Sequence, residues 1–226
     1  MASKWDTGFT VTLLICALVT TGLVVRRELV QSPAAPTPKP KFIKEWRSAL
    51  RESVQLGFPS APVQLIEFAD FECPFCANLH KSLTALRIRY PRELALSYVH
   101  FPLPGHRFAE PAARAAECAR EQGRFEAMHD RLFEQQDQLG LKSWNEFATE
   151  ASVPNIAAFE FCIKNTAPVP RIEADKRLGN QLEVKGTPTL IINGWKLAQP
   201  PTLDELDSMV KAILAGREPV SSAGRT

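Results

Sequence analysis

The chain has 226 residues, of which 45% are hydrophobic and 23% charged, and its net charge is +2. That is ordinary globular composition, long enough for one domain of about 170–185 residues plus extensions. Near-neutral charge with no Lys/Arg-rich run and no acidic tail excludes a polyelectrolyte surface, so no nucleic-acid partner is expected.

Residues 1–8 form a short N-terminal segment. Phe9 to Val25 carries no charge. At 1.5 Å per residue it makes about 26 Å of helix, the short limit for crossing about 30 Å of hydrocarbon. A cleaved signal peptide is the competing reading, but Ser32-Pro33-Ala34 is a poor cleavage site with Pro36 close behind. Ile15 before Cys16 also argues against a lipoprotein signal. The expectation is therefore an uncleaved transmembrane signal-anchor over residues 9–25. Arg26 and Arg27 follow it and only Lys4 precedes it, which by charge alone favours a cytoplasmic C-terminus. The redox argument below points the other way and is preferred. Residues 26–41 read as a linker. Within it, Gln31 to Lys41 holds four prolines and predicts an extended spacer of about 34 Å.

A globular domain is expected over residues 42–216, with a flexible tail at 217–226. Apolar spacing from Phe42 to Gly57 predicts a short helix. Val63 to Phe68 follows Pro62 as a buried strand. A helix from Pro74 to Tyr90 is framed by proline at its first turn and Pro91 beyond its end. Leu94 to Phe101 is the next strand, and strand–helix–strand over this length implies a parallel βαβ unit. Four helices are predicted over Glu110–Gln122, Arg124–Gln138, Ser143–Ala151 and Asn155–Lys164, an inserted helical subdomain at about 107–167. Ile172 to Leu182 is helical. Asn193-Gly194 marks a hairpin between Thr189–Ile192 and Trp195–Leu197. A last helix begins at Thr202 or Asp204 and ends near Ala215.

The chemistry concentrates in Cys73-Pro74-Phe75-Cys76. At the end of a strand and the start of a helix, the Cys73 sulfur meets unpaired backbone N–H groups and the positive end of the helix dipole. Both favour thiolate, which makes Cys73 the nucleophile. Cys76, inside the first turn, is placed to resolve a mixed disulfide. Half a zinc site is the competing reading, but His80, His100, His106 and His129 are scattered and no second Cys-x-x-Cys exists. No metal site and no cofactor are expected. A Cu(I) carrier using the two thiolates remains a rival. His80 and His106 read as packing or bracing residues. Phe71, Phe75 and Trp195 are candidates for an apolar substrate rim. Cys118 and Cys162 stand alone, and the four cysteines after the apolar run permit three disulfide connectivities.

Further motifs join this one. They are Glu67-Phe68-x-Asp70-Phe71-x before the cysteines, His100-Phe101-Pro102-Leu103, Ala112–Ala119 with Cys118, Gly186-Thr187-Pro188-Thr189, and Asn193-Gly194. Together, from about Ala61 to Gly216, the chain resembles the DsbA-like branch of the thioredoxin superfamily. The resemblance implies an α/β thioredoxin-like fold, a central mixed sheet with an inserted helical subdomain. It implies that Pro188 is a cis-proline packed on the redox pair, and that the Thr187 backbone pairs with an extended substrate. It makes Glu67 a buried acid that relays the proton of Cys76, and Pro74 and Phe75 the active-site dipeptide. It suggests a structural disulfide between Cys118 and Cys162, with two buried free thiols as the alternative. Such a bond would place the domain in an oxidising compartment, on the periplasmic or outer side. Strongly oxidising relatives carry His where this chain has Phe75. Glu72 also adds a like charge beside Cys73. Both predict a less depressed thiol and a less oxidising pair.

The expected function is disulfide formation in exported polypeptides through Cys73 and Cys76, with recycling by a membrane redox partner. The alternatives are a reductase or isomerase fed electrons across the membrane, or the Cu(I) carrier.

Overall fold

The computed structural model describes residues 11–22 and 39–220. They fall in two compact units, residues 1–38 and residues 39–226. In the first, residues 11–22 are helical. Among the described residues no helix is long and apolar enough to cross a membrane. This overturns the expected transmembrane anchor over 9–25, and with it the attachment to a membrane through that segment and the membrane-anchored location. Residues 9, 10 and 23–25, the candidate cleavage site, residues 26–38 of the proline-rich linker and residues 221–226 of the tail lie outside the described residues.

The second unit is built on a six-stranded mixed sheet. In chain order its strands are β1 (Lys41–Phe42), β2 (Val54–Gly57), β3 (Val63–Ala69), β4 (Leu94–His100), β5 (Thr189–Ile192) and β6 (Trp195–Lys196). Their spatial order is β1-β6-β5-β3-β4-β2. Only β3 and β4 run parallel, in register Val63↔Leu94 to Ala69↔His100, and α2 (Pro74–Arg89) crosses between them. The remaining neighbours are antiparallel. Lys41, read from sequence as the end of the linker, already pairs with Lys196. The expected helix over Phe42–Gly57 is shorter, α1 (Trp46–Glu52), because Val54–Gly57 extends the sheet against β4. An edge strand half-covered on one face and a helix turn carry the same apolar count over so few residues.

Every residue of β3 and β4 is buried. Side chains alternate between two faces. Val63, Leu65 and Ala69, with Leu96 and Tyr98 of β4, enter the larger core, shared with Leu79, Leu83 and Leu86 of α2 and Leu206 and Val210 of α8 (Leu203–Leu214). Ile66, Phe68 and Val99 enter a smaller core on the opposite face, closed by Trp46 and Ala49 of α1 and by Leu178 of α7 (Pro170–Gln181). The β5–β6 turn needs glycine at 194. Its φ is +92°, and a Cβ there would meet Trp46 and Phe42 at 2.6–2.7 Å. The preceding Asn193 accepts from the Gln64 N–H at 2.7 Å and donates to the Pro62 carbonyl at 2.9 Å, locking the hairpin to β3.

Between β4 and α7 come α3 (Ala109–Arg120), α4 (Phe125–Glu134), a 3₁₀ turn (Gln136–Gln138), α5 (Trp144–Glu150) and α6 (Ile156–Lys164). Alanines 112, 115, 116 and 119 of α3 lie fully buried. Side chains this small let neighbouring helices pack closely, and α4 and α6 both lie against α3. Cys118 of α3 and Cys162 of α6 are disulfide-bonded, with Cα atoms 5.8 Å apart. Cys16, Cys73 and Cys76 carry free thiols.

Candidate active site

Strand β3 ends at Ala69, and four residues later Cys73 caps α2 with extended backbone. Pro74 holds the first helical position, where its missing N–H costs no hydrogen bond. The Cys73 N–H donates to the Asp70 carbonyl at 3.1 Å, and the Cys73 carbonyl accepts from Cys76 at 3.0 Å and Ala77 at 3.2 Å. This fixes both cysteines on one turn, each buried. The Thr187–Pro188 peptide is cis and sets the Thr187 carbonyl 3.3 Å from the Cys73 Sγ. The Thr187 hydroxyl is buried and has no hydrogen-bond partner.

The two sulfurs differ in acidity. Cys73 is lowered to about 5. The Cys76 thiol, donating to it, is the largest cause. Burial opposes the shift, and the backbone N–H groups of Cys76 and Phe75 add to it. Cys76 is pushed strongly upward by burial, by its own bond to Cys73 and by the charge of Glu67. Glu67, on β3, is only 1% exposed and one carboxylate oxygen lacks a partner. Burial, and then the charge of Cys73, raises it to about 8. In register, Glu67 lies opposite Tyr98 on one side and Leu190 on the other. The Tyr98 hydroxyl is likewise buried without a partner.

The loop before Cys73 is anchored by its acids. Asp70 accepts from the Glu72 N–H at 2.7 Å, the Leu103 N–H at 2.8 Å and His106 Nδ1 at 2.7 Å. Burial would lower His106, but the bond to Asp70 outweighs it and the imidazole is raised. The Glu72 carboxylate accepts from the Phe108 N–H at the cap of α3. There it meets a helix N-terminus rather than the thiolate, so the expected opposition to Cys73 is blunted. A value of about 5 lies between the ranges of about 3.5 and about 7 known for strong and weak oxidants.

Sequence reading missed Gln136. Its side-chain amide, on the 3₁₀ turn of the insertion, donates to the Phe71 carbonyl at 2.6 Å and the Cys73 carbonyl at 2.9 Å. Both amide protons thus hold the redox turn from the far side of the insertion. A glutamine in a polar run (Gln135, Gln136, Gln138) carries no signal that could have found it.

The candidate rim residues separate. Phe75 is 67% exposed beside Cys73. Phe71 is buried and stacks on Tyr98 at 5.1 Å, so it belongs to the core. Trp195 packs edge-on against Phe42 at 5.4 Å in the β1–β6 pair. Among the described residues, the potential metal-ligand group is His80, His129 and Asp130, and it includes neither Cys73 nor Cys76. A third ligand for a thiolate copper site is therefore not found among the described residues.

Comparison with known proteins agrees with this geometry. Residues 50–212 match the family described as thioredoxin. Over 164 residues the chain is 34% identical to a Na(+)/H(+) antiporter NhaA 1 from Mycolicibacterium gilvum, covering 71% of this chain and 26% of that protein. The chain thus spans about a quarter of the curated relatives it matches. Among solved structures, oxidised BdbD from Bacillus subtilis superposes with a TM-score of 0.66 at 20% identity, covering 81% of this chain and all of that one. The catalytic domain of Proteus mirabilis ScsC gives 0.63 at 23% identity, covering 76% and 96%.

Proposed function

The chain belongs to the thioredoxin family, and from that premise we propose that it is a DsbA-like protein-disulfide oxidoreductase whose dithiol forms disulfides in exported polypeptides. The observation that carries the proposal is the asymmetry of the pair, one thiol lowered to about 5 and the other pushed upward.

The working form carries a Cys73–Cys76 disulfide. A substrate thiolate attacks the Cys73 sulfur, the Cys73–Cys76 bond breaks, and its electron pair leaves on Cys76. Glu67, protonated at neutral pH, supplies the proton that makes Cys76 a thiol. A second substrate thiolate then attacks the substrate sulfur of the mixed disulfide. The substrate disulfide forms and Cys73 leaves as a thiolate, the form its surroundings favour. Two electrons pass to the protein, the protons of the two substrate thiols go to solvent when those thiols ionise, Glu67 regains its proton from water, and an external oxidant must remove the electrons.

Thr187, beside Pro188, presents its backbone next to Cys73, where an extended substrate segment pairs edge-on. Phe75 supplies apolar contact, which favours unfolded chains with exposed hydrophobic residues. The Cys118–Cys162 bond braces the insertion and fits an oxidising compartment. Substrates are accordingly exported polypeptides with paired thiols.

The test is the equilibrium reduction potential of the Cys73/Cys76 pair against glutathione buffers, alongside the rate at which the oxidised protein forms disulfides in a reduced, unfolded polypeptide. A potential between about −120 and −230 mV with catalytic oxidation supports donation. A potential near or below about −270 mV, with reduction favoured, overturns it and makes the protein a reductase.

A further inference from the structure

Apart from the dithiol, a second cluster of ligand-type side chains joins the redox helix to the insertion. His80 on α2 and His129 and Asp130 on α4 each offer one atom, all within 4.8 Å of one another. His80 is 6% and His129 1% exposed. The Asp130 side chain is 35% exposed and leaves the cluster an opening to solvent.

The spacing is slightly wider than that of a metal shell and would close by side-chain rotation on binding. His80 Nε2 and His129 Nδ1 stand 4.0 Å and 2.9 Å from the same oxygen of Asp130. Zinc–nitrogen and zinc–oxygen bonds of about 2.0–2.1 Å in a tetrahedron place ligand atoms about 3.3 Å apart, between those two distances. The rings are held for this by packing. His80 stacks on Phe133 at 5.1 Å, His129 meets the same ring edge-on at 5.1 Å, and the two imidazoles lie 5.2 Å apart.

His129 Nε2 is buried and has no hydrogen-bond partner. Without an ion, Nδ1 and Asp130 share a proton. Coordination through Nδ1 sends that proton to Nε2, where no existing hydrogen bond is lost. Arg87, whose charge acts on both imidazoles, is itself ion-paired with Glu126.

We propose that His80, His129 and Asp130 bind one divalent transition-metal ion, with Zn²⁺ the best fit. Two imidazoles and one carboxylate, completed by water on the Asp130 side, form a ligand set that zinc favours. The ion would tie the helix that carries Cys73 and Cys76 to α4 of the insertion.

The test uses the full chain with Cys16→Ser and the Cys73–Cys76 pair oxidised, which leaves no free thiol to compete. After chelator treatment, Zn²⁺ is titrated by calorimetry and Co²⁺ by visible absorption. One ion per chain, with a chelator-reversible rise in Tm, is expected. Asp130→Asn and His80→Gln should each weaken binding by at least about tenfold, the lower end of what even a lost outer-shell partner costs. No stoichiometric binding, or binding that Asp130→Asn weakens by less than about tenfold, overturns the proposal. Should His80→Gln fail to fold, the partly exposed Asp130→Asn decides alone.

Discussion

Replacing Glu67 by glutamine removes an ionisable proton while keeping shape, and the structure fixes what should follow. Burial, and then the Cys73 charge, hold the Glu67 carboxyl near 8, against 4.5 for an ordinary glutamate. Below pH 4.5 both folded and unfolded chains carry the proton, and Glu67 makes no pH-dependent contribution. As the pH rises past 4.5 the unfolded chain ionises and the folded one does not. Stability is then lost at 1.36 kcal/mol per pH unit until about pH 8, where the folded carboxyl also ionises. By pH 7 the loss is about 3 kcal/mol, and above pH 8 it levels near 5 kcal/mol. Glu67→Gln has no such slope.

The assay is urea denaturation of reduced wild type and reduced Glu67→Gln between pH 4.5 and 8.5. His80, lowered to about 4 by burial and by His129, and Asp175, raised to about 6 by burial, titrate in both proteins. Their contributions cancel in the difference. The variant should gain on wild type steadily as the pH rises, by about 3 kcal/mol between pH 4.5 and 7. In the oxidised proteins the gain should shrink, because the Cys73 thiolate is gone and burial alone remains. Parallel pH profiles in the reduced proteins would refute the buried, protonated acid, and with it the proton source assigned to Cys76.

Three further outcomes are expected. Thiolate absorbance of the reduced protein should show Cys73 half-titrated near pH 5, and Cys76→Ala should move that midpoint upward, since the Cys76 thiol is its largest support; a midpoint at the free-cysteine value of about 8.5 would contradict this. Gln136→Ala strips one donor each from the Phe71 and Cys73 carbonyls and should cost about 2 kcal/mol in denaturation, while an unchanged midpoint would show that water replaces it fully. Removing the Cys118–Cys162 bond by double alanine substitution opens a 44-residue separation and should cost about 4 kcal/mol in the chain-entropy view, which equal stability would overturn.

What could be read in advance depended on how local the signal was. The β3–α2–β4 unit follows from strand formers, Pro74 and Pro91, all within one stretch of chain. The Asn193-Gly194 hairpin declares itself because few residues accept the backbone it requires. The edge strand Val54–Gly57 was read as helix, since its pairing with β4 is a long-range fact absent from its own periodicity. The apolar run near the N-terminus misled for a related reason. Absence of charge bounds a possible span but does not make one, and among the described residues no helix is long and apolar enough to cross a membrane. The His80–His129–Asp130 cluster was invisible as well. Its members sit on α2 and α4, and only the packing of those helices brings the donors within 4.8 Å.

The insertion is therefore part of the redox machinery's support, and the contacts say how. Asp70, Glu72 and the carbonyls of Phe71 and Cys73 form the turn that delivers the sulfur. Asp70 is met by Leu103 and His106 on the segment leading into the insertion, Glu72 by the cap of α3, and the two carbonyls by Gln136. None of these partners touches the sulfur itself. Each removes a freedom that the turn would otherwise have, and Glu72 is drawn to a helix terminus where its charge is balanced. A low thiol pKa needs donors held in place more than it needs a cation next door. On this view Phe75 can stand where stronger oxidants carry histidine, and the position is released to meet substrate. The same view makes substitutions in the insertion, distant in sequence from Cys73, act on its acidity in proportion to how far they loosen the turn.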